Sequence, residues 1–166
     1  MTETEWLHCE EPGRMLEYVH GRASPRKWRL LACAFCRRVW NLLKDKRSRR
    51  AVELAEGFAD GLALASPHAL AEACQGAWDA WTWWPKMDRH TWQALGAATW
   101  VAKPAIGLTE MTYILENTLA AECQLKPAEA RRDRCAVIRE IFGNPCHCAD
   151  LDRDWLDADG VTLPSA

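Results

Sequence analysis

Proline and glycine cut this chain into short pieces, and an apolar period of the helical kind runs through each piece. Ser24-Pro25 and Ser66-Pro67 each join an N-cap hydroxyl to a proline at the first helical position, and Lys126-Pro127 repeats the proline. Phe142-Gly143-Asn144-Pro145 supplies a left-handed C′ glycine and then a breaker. No segment alternates apolar and polar residues between hairpin turns. The pattern predicts an all-α fold, a helical bundle of about seven or eight helices. These are Glu3–Cys9, Gly13–His20, Pro25–Lys44, Arg47–Ala65, Pro67–Trp84, Arg89–Ala102, Thr109–Leu125 and Pro127–Phe142. Beyond Asp150 the period fails and Asp150, Asp152, Asp154, Asp157 and Asp159 recur. The expected organisation is a helical domain over 1–149 and an irregular acidic tail over 150–166, pinned by Trp155 and Leu156.

A chain of 166 residues forms one domain of ordinary size, and 49% apolar with 27% charged residues excludes collagen-like and fully disordered classes. The opening Met1-Thr2-Glu3-Thr4-Glu5-Trp6 is acidic and unlike a secretory signal. The longest uncharged run, His90 to Ala102, falls short of the ~20 apolar residues of a membrane helix. The expectation is a cytoplasmic chain without a membrane partner, whose eight cysteines stay reduced and act as core thiols or metal ligands.

The helix predicted from Pro25 puts Trp28, Leu31, Ala32, Phe35, Val39, Leu42 and Leu43 on one face. A second stripe runs along its edge: Arg29, Cys33, Cys36, Trp40. At i and i+3 the two thiols of Cys33-Ala34-Phe35-Cys36 lean the same way and make half of a tetrahedral metal site. Cys135 faces inward on the last predicted helix, and His8, Cys9, Cys146, His147 and Cys148 are further candidate ligands. Cys74 and Cys123 read as core.

Charge is unevenly spread. Eleven Lys/Arg against Asp45 alone fall between Arg22 and Arg50, although the whole chain has a formal charge of -2. Arg37, Arg38, Lys46, Arg47, Arg49 and Arg50, with Arg26, Lys27 and Lys44, form a candidate phosphate-binding surface. The competing expectation is a solvated face answered by Glu53, Glu56, Asp60 and the acidic tail. Trp78, Trp81 and Trp84 line up at helical spacing as an aromatic ridge, expected to pack in the core, with partner docking through the ridge as the alternative, and Trp83 falls off it as a candidate contact residue. Asp150-x-Asp152-x-Asp154 fails as a calcium loop, with Trp155 and Val161 where glycine and glutamate belong. No phosphate loop, dinucleotide fingerprint or serine-nucleophile motif occurs, and no catalytic residue is assigned.

Four stretches, Glu5-Trp6-Leu7, Arg26 to Trp40, Arg47 to Glu56 and Ile138 to Pro145, carry a resemblance. They resemble a family of uncharacterised bacterial proteins with an Ala-Cys-x-x-Cys-Arg-Arg-x-Trp helix and an Ile-Phe-Gly-Asn-Pro stretch. The family brings no known activity. Its usual phenylalanine after Gly-Asn-Pro is Cys146 here. The resemblance implies cysteines in common at Cys9, Cys33, Cys36 and Cys135. Those four would make one tetrathiolate site clamping the N-terminal segment, the C-x-x-C helix and the last helix, with Arg29 and Trp40 shielding it. The resulting expectation is a zinc-stabilised helical interaction module, rather than an enzyme, that docks a protein or nucleic-acid partner. Its rivals are a nucleic-acid-binding protein using the basic hairpin 26–50 and an iron–sulfur or thiol redox protein using the same cysteines.

Overall fold

The computed structural model describes residues 1–83, 87–122 and 126–146. Trp84, Cys123, His147, Cys148 and the acidic tail lie outside the described residues. The described chain is all-helical: α1 (Glu3–His8), α2 (Pro12–Val19), α3 (Pro25–Arg38), α4 (Lys46–Ala59), α5 (Pro67–Thr82), α6 (Arg89–Val101), α7 (Leu108–Ala121) and α8 (Pro127–Phe142).

The starts follow local chemistry. Ser24 Oγ accepts from the Lys27 amide at 3.3 Å, and Ser66 Oγ accepts from the Ala69 amide at 3.1 Å. Each follows the rule that a short side-chain oxygen answers an otherwise orphaned first-turn N–H, worth about 1 kcal/mol. Asp45 and Asp88 cap α4 and α6 in the same way.

Two ends differ most from the sequence expectation. The α-helix begun at Pro25 stops at Arg38 rather than Lys44, because Val39 leaves helical geometry (φ -105°, ψ 20°) and Trp40–Leu42 tighten into a 3₁₀ turn. A 3₁₀ turn keeps side chains on nearly the same face, so the apolar stripe continues unbroken and hides the stop. The helix expected to reach Ala65 ends at Ala59. Gly61, at φ 71°, closes it: the Leu62 amide donates to Gly57 O at 2.9 Å and the Gly61 amide to Phe58 O at 3.2 Å. That pair of bonds satisfies the last carbonyls and turns the chain out. Leu62 is consequently exposed.

Helices adjacent in sequence pack on one another from α3 through α7, and α3 also meets α8. α3 therefore lies at the centre of the bundle. Trp28, Leu31, Ala32, Phe35, Val39 and Leu43 are buried, as the stripe predicts. Arg29 is buried too, and its charge acts on Cys33 in favour of the thiolate. Nη1 donates to Val101 O (3.0 Å) and Lys103 O (2.8 Å), and Nη2 donates to Pro104 O (2.7 Å), answering carbonyls at the end of α6. Trp40, the other residue expected to shield the cysteines, is half-buried. Its ring lies under the Arg37 guanidinium, 4.1 Å from the centroid, and near Arg49 at 5.3 Å.

Candidate functional site

The cysteines resolve into two places. On α3, Cys33 and Cys36 are both buried; Cys33 leans toward Val52 O of α4, with sulfur to oxygen 3.9 Å. Burial drives the Cys33 thiol well above its ordinary range, with the Cys36 charge adding to it. Burial pushes Cys36 up to about 12, opposed in part by the nearby Arg134 guanidinium. Burial therefore favours the protonated form of both thiols. At the other place, α8 meets the N-terminal segment. Cys135 is buried, and burial followed by the neighbouring Cys9 pushes its thiol up to about 12. Cys9 is half-buried, and its sulfur lies 3.4 Å from Glu11 O.

A closed zinc or iron–sulfur site needs four ligands on one ion or cluster. Among the described residues, no group of three or more His, Cys, Asp or Glu is placed to hold a metal ion. Of the alternative ligands, the His8 Nδ1 lies 2.9 Å from Thr4 O, and the Cys146 sulfur lies 3.3 Å from the Tyr18 hydroxyl. His147 and Cys148 lie outside the described residues. Cys74, expected in the core, is half-buried and points at Thr99 O, sulfur to oxygen 3.5 Å.

Polar side chains tie the N-terminal segment to α8. Arg139 Nε donates to Trp6 O at 3.1 Å and Nη2 donates to Cys9 O. The buried Trp6 Nε1 donates to Gly143 O at 3.0 Å. A fully buried arginine, Arg134, stands beside Cys36, with Nη1 donating to Glu122 at 3.3 Å. Its Nη2 is 3.1 Å from the other Glu122 oxygen, and among the described residues Nε and Nη2 form no hydrogen bond. The signal for this burial is present in the sequence: Ala130, Arg134 and Ile138 form an i, i+4 row, and all three are buried.

The basic stretch is largely answered from within. Arg26 pairs with Asp60 (3.1 Å), Arg37 with Glu56, Arg38 with Glu122 (3.1 Å) and Asp133, and Arg47 with Asp45 (2.8 Å). Arg49 donates to Leu43 O at 2.6 Å. Among the described residues, Lys44, Lys46 and Arg50 form no ion pair. Arg47 and Arg50 line a cleft of about 170 Å³ between α4 and α5, which Glu72 also borders.

The aromatic cluster is sorted by depth. Trp81 is half-buried and packs its ring at 5.3 Å from Trp78 and 5.0 Å from Trp92. Its indole reaches α6 over Gly96, where a Cβ would sit only 3.3 Å away, so the glycine is what lets the ring in. Above it, Trp78 is 45% exposed, Trp92 44% and Trp83 83%. Trp78, expected to be core, is therefore surface, and Trp83 stands off the ridge as predicted.

No protein-family model matches this chain, and neither a characterised protein nor a solved structure matches it.

Proposed function

We propose that the protein is a helical interaction module that docks a protein partner through the corner formed by Trp78, Trp83 and Trp92. The observation that carries this reading is the exposure of three indoles at one junction of α5 and α6, set on a fourth ring, Trp81, that holds two of them in place. Tryptophan supplies large, rigid contact area with a hydrogen-bond donor at its edge, and it is enriched where partners bury a hot spot. A protein partner is favoured over nucleic acid by the charge arrangement: four of the expected phosphate-contacting or adjacent arginines, Arg26, Arg37, Arg38 and Arg47, already hold carboxylates.

The test compares wild type with Trp83→Ser and Trp92→Ser as bait in an extract of the source cells. A defined, saturable binder retained by wild type and lost by both variants at unchanged melting temperature supports the reading. Identical capture by all three ends it.

Nucleic acid remains a second reading on one observation, the cleft lined by Arg47 and Arg50 beside the unpaired Lys46. A salt-dependent gel shift abolished by Arg47→Glu and Arg50→Glu would support it. The metal half of the reading rests on the two cysteine pairs and the family resemblance. Bringing the pairs onto one ion would require them to move together. Elemental analysis of purified protein, expected at about one zinc per chain for a single closed site, decides it. Iron with a brown colour favours a cluster, and metal-free folded protein excludes both.

A further inference from the structure

The first residues of the chain lie along α8 in a register set by five polar contacts. Going back along α8 from its C-terminus, Gly143 O receives the Trp6 indole N–H at 3.0 Å, and Arg139 holds Trp6 O and Cys9 O. Further back, Arg132 faces Glu10 at 3.9 Å and Arg131 faces Glu11 at 3.7 Å. Arg131, Cys135 and Arg139 are spaced i, i+4, i+8, so they form one row on the helix. The two arginines of that row touch Glu11 and Cys9. Cys135, midway between them, faces the stretch from Cys9 to Glu10. Neither cysteine is in a disulfide.

We propose that Cys9 and Cys135 form a redox-controlled disulfide that staples the N-terminal segment to the last helix. The oxidant is hydrogen peroxide. Cys9, the half-exposed thiol, attacks the peroxide: an S–O bond forms, the O–O bond breaks and water leaves. Cys135, shielded from solvent, then attacks the Cys9 sulfenic acid: the S–S bond forms, the S–O bond breaks and a second water carries away the remaining proton. Two thiols are oxidised and one hydrogen peroxide is reduced. In the reduced protein α1 is held by hydrogen bonds and apolar contact; in the oxidised protein it is held covalently. The proposal is independent of the aromatic corner, which lies on α5 and α6. It is also a use of Cys9 and Cys135 that excludes their sharing a metal.

The full chain, reduced and then treated with stoichiometric hydrogen peroxide, is blocked with N-ethylmaleimide and digested without reductant for mass spectrometry. The expected product is a single linked peptide pair containing Cys9 and Cys135, two hydrogens lighter than its parts and split by dithiothreitol. Hydrogen exchange of the α1 amides should slow on oxidation, and Cys9→Ser should abolish both effects. Cys9 is only half-buried and serine is close to it in size, so that variant carries the test even where Cys135→Ala unfolds. In a folded Cys135→Ala protein, Cys9 should persist as a sulfenic acid that dimedone traps. Cys9 recovered unmodified, over-oxidised to sulfinic acid in wild type, or linked to Cys146 would overturn the proposal.

Discussion

A buried thiol keeps its proton because a thiolate there would lose its hydration, and the consequence can be read in the stability curve. Cys36 and Cys135 hold their protons to about 12 in the folded protein, against an ordinary thiol value of 9.0. Cys36 sits among Arg134, Glu56 and Arg37, and burial dominates all three. Above pH 9 the unfolded chain releases these protons first, so it binds fewer protons than the native state. Stability is then complete below that pH and falls as pH rises toward 12. Urea midpoints measured from pH 8 upward should show this fall, and Cys36→Ala should show a shallower one; equal slopes would contradict the assignment. Arg29 makes the opposite kind of contribution. It is a buried cation kept because three carbonyls need it. Arg29→Ala should cost on the order of 3 kcal/mol in chemical denaturation, since it strands those acceptors and opens a cavity. A loss below about 0.5 kcal/mol would mean water replaces it freely.

At the level of elements, the polar latch on α1 has a local prediction. Arg139→Ala removes the donors to Trp6 O and Cys9 O while leaving the centre of the bundle intact. Amide exchange in α1 should accelerate by about tenfold or more, and exchange in α5 and α6 should not change. Uniform acceleration would show instead that the latch is part of the global fold. The helices themselves were legible from the sequence, because serine caps and first-turn prolines act locally. Their ends were less so. Gly61 carried the stop signal for α4, but the apolar spacing ran past it through Leu62. The 3₁₀ turn at Trp40–Leu42 was illegible, because its side chains continue the stripe of α3. The burial of Arg134 was legible through one signal alone: in the run Arg131-Arg132-Asp133-Arg134, its place in the row with Ala130 and Ile138 separates a buried arginine from exposed Arg131 and Arg132.

For the whole molecule, the candidate site was legible in part. Residue type and helical spacing singled out Trp83, whose side chain leaves the ridge, and the structure exposes it. They could not separate Trp78 from Trp81, because only the approach of α6 through Gly96 decides which ring is covered. The cysteine pairs raise the same difficulty, since tertiary distance is invisible in a single chain. Because Trp83 contributes little to the fold, Trp83→Ser should shift unfolding by no more than about 0.5 kcal/mol. A larger loss would move it from contact surface to scaffold and withdraw the docking reading at that residue.

The seam between the first and last helices also constrains how the protein is made. Trp6 is fully buried, yet its hydrogen-bond acceptor, Gly143 O, and the arginine that latches its carbonyl belong to α8. A ribosome adding roughly 5–20 residues per second delivers α8 on the order of ten seconds after Trp6. Throughout that interval an indole and the apolar side of α2 have no finished surface to dock on. The indole therefore stays without its acceptor until α8 emerges, and emergence of that helix, rather than of the core helices before it, sets the moment at which this seam closes.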